Sequence, residues 1–249
     1  MTVFSLHVQD QAVYLPASLL SQTQEQKLFS ETLRRSTFCN CQDIPIREPH
    51  RLSSMKARRM SRGTRLACEA ALHIASRFSI DAWIFASQHG ETSRGIKIMD
   101  RLIENETVSP TDFMMSVHNA AAGVFSVESR FHGTVTSLAA GGDTFHMALI
   151  EAASMLGTDM RRVAIVEFDD IIDLKLSEAF KVKSQNMTYA TTWVLEQGVT
   201  ETLTIETKES LSEGIFNIAS VRAISLLAEG YAKFETLGEN TICRWESKA

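Results

Sequence analysis

The sequence predicts an α/β layered fold with parallel central strands, and two observations carry that prediction. Between residues 60 and 170, short apolar segments typical of buried strands alternate with longer segments of helical periodicity. In addition, 44% of the 249 residues are apolar, which is enough for a sizeable buried core. No apolar run reaches about 18 residues, so a membrane-spanning helix is not expected.

The N-terminal region combines a strand, a helix and a loop. Thr2–Val8 alternates apolar and polar side chains, as an exposed or edge strand does. Gln22–Arg35 has the polar pattern of a surface helix. Cys39–Ser54 contains Pro45 and Pro49 among scattered polar residues, which indicates a connecting loop.

The α/β alternation begins at Ser61 with a helix that carries one apolar stripe. Asp81–Ser87 is continuous in its apolar core, which predicts a strand covered on both faces. A helix is expected over Arg94–Asn105, and a further helix starts with Ser109 as N-cap and Pro110 in its first turn. The residues of the stripe are Leu66, Ala70, Ile74 and Phe78.

The alternation continues with a helix over Ser116–Glu128 and a second buried strand over Gly133–Leu138. The next helix, Asp143–Leu156, is apolar around nearly its whole circumference, so we expect it to be buried on all sides. Arg162–Phe168 predicts a third buried strand.

The last part of the chain predicts strands and one helix. Tyr189–Glu196 and Thr200–Thr207 resemble a pair of strands joined near Gln197-Gly198. A helix is expected over Ile218–Ala228, and a short strand over Thr241–Trp245.

Composition excludes several functions. The chain has 25 basic and 30 acidic residues, a net charge of −5, so no overall field would hold it on nucleic acid or an anionic membrane. Its four cysteines form neither a disulfide framework nor a zinc-type spacing, and we expect no metal and no cofactor. Met1–Tyr14 lacks the pattern of an export signal, so the expected compartment is the cytoplasm.

One basic segment stands out against the acidic total. Between Arg47 and Arg65 the only acidic residue is Glu48. Such a patch would attract an acidic partner, whereas nucleic acid is less favoured because the segment has no aromatic residue to stack on bases. A solvated surface is the alternative. The basic residues are Arg47, Arg51, Lys56, Arg58, Arg59, Arg62 and Arg65.

A candidate nucleophile lies where the strand Gly133–Leu138 breaks on small residues before a helix. Ser137 is the nucleophilic side chain of that turn, and the helix N-terminus could stabilise a developing anion. His118, His132 and His146 are near in sequence and could supply a base, although no G-x-S-x-G elbow is present. The alternative is that Ser137 satisfies a backbone group at the strand end.

Three segments together resemble the N-terminal half of a β-ketoacyl-acyl-carrier-protein synthase. More narrowly, residues 55–200 are similar to the chain-length-factor-like subunits that accompany aryl polyene biosynthesis. The resemblance implies a thiolase-like fold, of which this chain would form essentially one half: a layered mixed sheet with a buried central helix. The segments are RRMSRGTRLACEAA (Arg58–Ala71), SPTDFMMSVHNAAAG (Ser109–Gly123) and GTVTSLAAGGDTFHMALIEA (Gly133–Ala152).

The chain departs from the active synthases at the nucleophile. The family's cysteine lies in a segment similar to T-A-C-x-x-G, and registering it on Thr136–Gly141 places Leu138 at the cysteine, or Ser137 if the register slips by one. Leucine supplies neither a nucleophile nor a proton. Longer synthases carry paired histidines in a second half, whereas this chain has no histidine after His146. The resemblance therefore implies a subunit without independent condensation activity.

The resemblance also implies partners. We expect a full-length, cysteine-bearing ketoacyl synthase as heterodimer partner, with a homodimer as the second choice, and an acidic acyl carrier protein docking on Arg58, Arg59, Arg62 and Arg65. The strand Gly133–Leu138, with Val135, is the expected interface edge. A second set of residues would line the partner's acyl tunnel, or else be ordinary core. These residues are Phe113, Met114, Met115, Val117 and Phe125.

Two competing functions remain at this point. One is a stand-alone serine hydrolase or acyltransferase that uses Ser137 with His118 or His132 as base, and the other is a homodimeric acyl-binding module. We expect residues 1–249 to form a single truncated thiolase-like domain. The segment 209–249 is of uncertain assignment and is a candidate local replacement for the second half.

Overall fold

The computed structural model describes residues 1–14, 46–47, 52–172, 187–207 and 218–247. The helix expected over Gln22–Arg35 lies outside these residues, as does most of the loop expected over Cys39–Ser54. The strands are β1 (Thr2–Tyr14), β2 (Ile46–Arg47), β3 (Ala82–Ala86), β4 (Thr134–Leu138), β5 (Arg162–Asp169), β6 (Tyr189–Thr207), β7 (Lys233–Leu237) and β8 (Thr241–Ser247). The α-helices are α1 (Ser54–Ala57), α2 (Arg62–Ala75), α3 (Thr92–Ile103), α4 (Pro110–Met114), α5 (Ala120–Ser129), α6 (Thr144–Leu156) and α7 (Ala219–Ala228).

The described strands form one mixed sheet in the order β2-β1-β6-β5-β3-β4, and β8 and β7 continue it from the second half of β6. β3 runs parallel to both β4 and β5, while β6 runs antiparallel to β5 and β1. The predicted α/β fold with parallel central strands is thus confirmed. β3 is buried at every position because helices cover both of its faces.

Each face of the sheet has its own core. On one face, α2 and α5 pack over Trp83, Phe85 and Val166. On the other, α6 and α7 pack over Ile84 and Ile165. None of the helices described above qualifies as a transmembrane span.

β6 corrects the prediction of two paired strands. Tyr189–Thr207 is one continuous strand that pairs with β1 on both sides of an irregularity, with His7 opposite Glu196 and Leu6 opposite Glu201. The residues between them form a bulge, because β1 is long enough to pair with both halves of β6. At Gly198 an added Cβ would lie 2.6 Å from the Cβ of His7, so only glycine allows this close approach.

β4 was expected to be buried, but it is the edge strand of the sheet and is partly exposed. Three of its five residues are threonine or serine, which suits a strand that is partly exposed. Among the described strands, β4 pairs only with β3. Its outer backbone groups therefore lack a strand partner within the described part of the chain.

α6 was expected to be buried on all sides, and that prediction is wrong. Met147, Ile150 and Glu151 are partly exposed and Ser154 is exposed, so one stripe of the helix faces away from the sheet. The opposite stripe, which includes Phe145 and Leu149, is buried. No described element covers the outer stripe completely.

The β7–β8 hairpin was only half predicted, since Thr241–Trp245 was expected as a strand and Lys233–Leu237 was not. β8 pairs antiparallel with both β7 and the second half of β6. Trp245 of β8 stacks against Phe145 and Phe234, with ring centroids 6.5 and 5.4 Å apart. The hairpin is thereby anchored in the core on the α6 face of the sheet.

Candidate functional site

The candidate site is the turn that connects β4 to α6. β4 ends at Leu138, a short 3₁₀ turn follows over Gly141–Asp143, and α6 begins at Thr144. The Thr144 hydroxyl closes the connection, because it accepts from the amide of Ala140 (3.0 Å) and donates to the carbonyl of Gly141 (2.7 Å). Leu138 is partly buried and packs against the core on the α6 face. An apolar side chain thus fills the strand end next to the helix.

Ser137 lies on the other face of the sheet, because successive side chains of a strand alternate and Val135 packs into the α2/α5 core. Its hydroxyl is buried and has no hydrogen-bond partner among the described residues. The interpretation that Ser137 satisfies a backbone group is therefore wrong. Among the residues that the structure describes, the Ser137 hydroxyl also lacks the hydrogen bond to a histidine that a hydrolase uses.

The three histidines near this turn are placed elsewhere. Nε2 of His118 bonds to the carbonyl oxygen of Ser87, at 2.9 Å. His132 is exposed and precedes the first residue of β4, at the opposite end of the strand from Ser137. His146 is fully buried inside α6. The structure brings none of them into hydrogen-bond contact with the Ser137 hydroxyl.

The amino end of α6 is covered by the β7–β8 turn (Gly238–Asn240). The Asp143 carboxylate accepts from the amide and the side chain of Asn240, both at 2.9 Å, and from the Thr241 hydroxyl at 2.6 Å. Burial by itself raises the pKa of the Asp143 carboxyl, but the hydrogen bonds from Thr241 and Asn240 outweigh it and hold that pKa below its usual value. A charged carboxylate therefore clamps the turn to the helix.

A buried polar chain continues behind this clamp. The Thr241 hydroxyl donates to Asp143, so it accepts from Nδ1 of His146, 2.7 Å away. In the neutral ring Nε2 then accepts from the Thr236 hydroxyl at 2.9 Å, and that hydroxyl accepts from the Trp245 indole at 3.3 Å. Sequence reasoning missed this network because it joins His146 of α6 to residues 90 and 95 positions later.

Two buried acids lie near the carboxyl end of β5, and the sequence analysis did not single them out. Asp169 accepts from the Ser87 hydroxyl (2.7 Å) and the His89 amide (2.9 Å). Burial raises the pKa of Asp169 and lowers that of the His89 ring. Glu167 accepts from the hydroxyls of Ser220 and Thr191, and burial raises the pKa of Glu167 to about 7. Acidic residues inside the apolar segment RVAIVEFD were the available signal.

The described region contains two free thiols. Cys68 and Cys243 are both buried, and burial raises the pKa of each, to about 12 for Cys243. Neither residue belongs to the β4–α6 turn. In the described residues, no group of three or more metal-ligating side chains is assembled. Cys39 and Cys41 lie outside the described residues.

The expected tunnel residues divide into two groups. Phe113 and Met114 on α4 are each 63% exposed and Val117 is 42% exposed, while Met115 is half-buried. Phe125 is fully buried instead and packs against the rings of Trp83, Phe85 and Phe131. The first group lies on the surface, whereas Phe125 belongs to the α2/α5 core.

α3 also exposes apolar side chains. None of its residues is buried, although Met99, Leu102 and Ile103 are apolar and exposed. Ion pairs hold α3 to α4, since Arg94 and Arg101 both contact Asp112 at 3.1 Å. The α3–α4 pair is therefore joined by charges and leaves its apolar side chains outward, a pattern that marks interaction surfaces.

The basic patch is exposed as expected. Arg58, Arg59, Arg62 and Arg65 all lie at the surface around the start of α2. Arg62 is 3.6 Å from Asp170 and Arg65 is 3.0 Å from Glu69, whereas neither Arg58 nor Arg59 forms an ion pair among the described residues. Two exposed guanidinium groups thus have no ion-pair partner in the described part of the chain. The side chains of Arg47 and Arg51 lie outside the described part of the structure.

This combination defines the class of protein: a thiolase-like α/β chain with the strand–helix turn of a ketoacyl synthase. A sequence model described as the β-ketoacyl synthase N-terminal domain matches residues 35–239, and the chain belongs to that family. No curated protein matches the sequence.

Solved structures give the same fold. The chain is 29% identical, with a TM-score of 0.82, to a chain of the ketosynthase ApeO in complex with its chain length factor ApeC from Xenorhabdus doucetiae. That match covers 98% of this chain and 100% of the other. The ishigamide ketosynthase/chain length factor matches with a TM-score of 0.60 at 12% identity, over 75% of this chain and 80% of the other. A β-ketoacyl synthase from Burkholderia phymatum STM815 matches at 0.51 and 11% identity, over 74% and 57%.

Proposed function

We propose that this chain is a chain-length-factor-like, catalytically silent subunit that pairs with an active ketosynthase and shapes its acyl pocket. The observation that carries the proposal is Leu138 at the end of edge strand β4, directly before the turn into α6. Similarity over the whole chain to a chain of a ketosynthase–chain length factor complex supports the same role. The proposal includes the product: the acyl chain that the pair builds would be an aryl polyene.

Catalytic silence follows from the chemistry of the turn. Acyl transfer in this family's fold needs a thiolate, and a leucine side chain cannot form a thioester. Ser137 does not substitute for it, because its side chain lies on the opposite face and has no base within hydrogen-bond distance among the described residues. The partner would therefore supply both the nucleophile and the base.

The edge of β4 is the proposed contact with that partner. The outer edge of Thr134–Leu138 has no strand partner in the described part of the chain, and an antiparallel strand from the ketosynthase would satisfy its amides and carbonyls. Val127 on the neighbouring helix α5 is 75% exposed and would extend the contact with apolar surface. An obligate interface of this kind buries on the order of 2,000 Å² or more.

The exposed apolar residues of α4 and of the segment that follows it are the proposed pocket wall. Phe113, Met114 and Val117 present apolar side chains that a fatty or polyene chain could contact, and burying each contributes roughly 1.5–3 kcal/mol. Methionine adapts its shape to an irregular pocket. Phe125 lies in the α2/α5 core instead.

Docking of an acidic acyl carrier protein is proposed for Arg58, Arg59, Arg62 and Arg65. Their exposure, and the absence of ion pairs for Arg58 and Arg59 among the described residues, support that role. Complementary charge would mainly raise the association rate and would weaken with salt.

The central experiment is co-expression with a candidate ketosynthase, followed by native mass spectrometry and a chain-elongation assay. We expect a 1:1 heterodimer that elongates only when the ketosynthase cysteine is intact, and no elongation by this chain alone. The matched control is Ser137→Ala, which should leave the elongation rate unchanged. A homodimer without affinity for the ketosynthase, or turnover of an activated ester by this chain that is lost in Ser137→Ala, would refute the proposal.

A further inference from the structure

The β7–β8 turn makes an unusually close contact with the 3₁₀ turn that opens α6. A Cβ added to Gly238 would lie 2.2 Å from Oδ1 of Asp143, and one added to Gly142 would lie 2.8 Å from the Cβ of Glu239. Two glycines therefore face the opposing turn where no side chain fits. Gly238 is buried, while Glu239 is partly exposed.

The contact also places a carboxylate beside a backbone amide of the turn that opens α6. Oε2 of Glu239 lies 3.4 Å from the amide of Gly142, so the protein's own carboxylate stands at the amino end of the helix. A helix N-terminus otherwise offers its amides and its positive dipole end to an anion or a polarised carbonyl. Here the Gly142 amide, in the turn that leads into α6, already faces the carboxylate of Glu239.

The β7–β8 hairpin, which carries the turn, is anchored to the rest of the fold. Thr236 and Thr241 both bond to the buried ring of His146, and Trp245 packs 5.7 Å from Trp193 in the core. Seven residue pairs join β8 to β6, from Glu201–Ser247 to Thr207–Thr241. The turn is thus fixed by the sheet, by the aromatic core and by the Asp143 clamp together.

We propose that the β7–β8 turn is a built-in cap that closes the amino end of α6 and keeps acyl thioesters away from it. With this cap the chain would stay catalytically inactive even without Leu138, because a cysteine placed at position 138 would still be shielded. This inference goes beyond the proposed function, since it concerns the isolated chain and needs no partner. It also assigns a role to the described part of the segment 209–249.

The test compares the reactivity of a thiol introduced by Leu138→Cys, with and without the cap. The full-length chain is treated with a bromoacetyl derivative of pantetheine, and alkylation at position 138 is followed by peptide mass spectrometry, which separates it from the native cysteines. We expect slow alkylation in Leu138→Cys and a rate roughly tenfold or more higher when Gly238→Ala is added, because the new methyl group forces the turn off Asp143.

Matched controls separate opening of the cap from general loosening. Gly95→Ala, at a helical glycine where an added Cβ meets nothing within 4 Å, should leave the rate at position 138 unchanged. Val127→Cys, at a 75% exposed site, gives the rate of an unshielded thiol. Circular dichroism verifies that each variant is folded.

Two results would overturn the cap. One is a Leu138→Cys rate equal to that of Val127→Cys, and the other is an equal rate with and without Gly238→Ala. If Gly238→Ala does not fold, Glu239→Ala replaces it, and an unchanged rate there overturns the cap as well. Native mass spectrometry with the ketosynthase is unaffected by these outcomes, so failure of the cap and failure of the heterodimer are distinguishable.

Discussion

Replacing Asp143 with alanine tests how much the clamp at the start of α6 contributes to stability. The change removes an acceptor that takes hydrogen bonds from the Asn240 amide, the Asn240 side chain and the Thr241 hydroxyl. A hydrogen bond to a charged group contributes about 1.5–3 kcal/mol net. Asn240 is exposed and can bond to water instead, whereas the Thr241 hydroxyl is buried and loses its acceptor. We therefore expect a loss of about 2–4 kcal/mol in the free energy of unfolding.

Urea unfolding followed by tryptophan fluorescence measures this loss, because Trp193 and Trp245 lie in the core beside the hairpin. In a domain of this size the change corresponds to a fall in Tm of about 5–15 °C. Asp159→Ala, at an exposed position, should stay within about 0.5 kcal/mol of the unmodified chain. A loss below about 1 kcal/mol in Asp143→Ala would show that the clamp does not stabilise the fold, and the reasoning would fail.

Three further predictions concern other parts of the molecule. Burial raises the pKa of Glu167 from 4.5 to about 7, so between these pH values the folded state holds a proton that the unfolded state releases. The free energy of unfolding should therefore fall as pH rises from 4.5 to 7. Urea titrations across that range should show that Glu167→Gln loses most of this pH dependence. Arg58→Glu combined with Arg59→Glu should weaken carrier-protein binding several-fold and flatten its salt dependence in calorimetry, and unchanged binding would refute the docking surface. Phe125→Ala should cost about 3–5 kcal/mol in urea unfolding, since its ring is fully buried; a loss below 1 kcal/mol would contradict its place in the core.

The sequence predicted those elements whose pattern is set by local burial. β3 and β5 are continuous apolar segments, and α2 carries one apolar stripe, so their positions were correct within a few residues. β4 was wrongly expected to be buried, because five residues do not reveal whether a strand has one neighbour or two. β6 was divided in two, because Gln197-Gly198 suits a bulge as well as a turn.

The candidate site was predictable only in part. The strand–turn–helix around Leu138 follows from small residues after an apolar strand and was located from the sequence. The β7–β8 turn that covers it was not, since the contact between Asp143 and Asn240 joins residues 97 positions apart. Nothing in Lys233–Leu237 itself indicates that these residues return to the start of α6. Such contacts depend on the sheet order, which local patterns do not encode.

The continuous strand β6 couples the unfolding of the hairpin to that of the central sheet. Its first half lies beside β5 in the centre of the sheet, and its second half carries β8. A hairpin paired with a separate strand could open alone, but β8 pairs with the same continuous strand that pairs with β5. We therefore expect the amides of β8 to exchange with deuterium in the same cooperative step as those of β5, rather than in an earlier local opening.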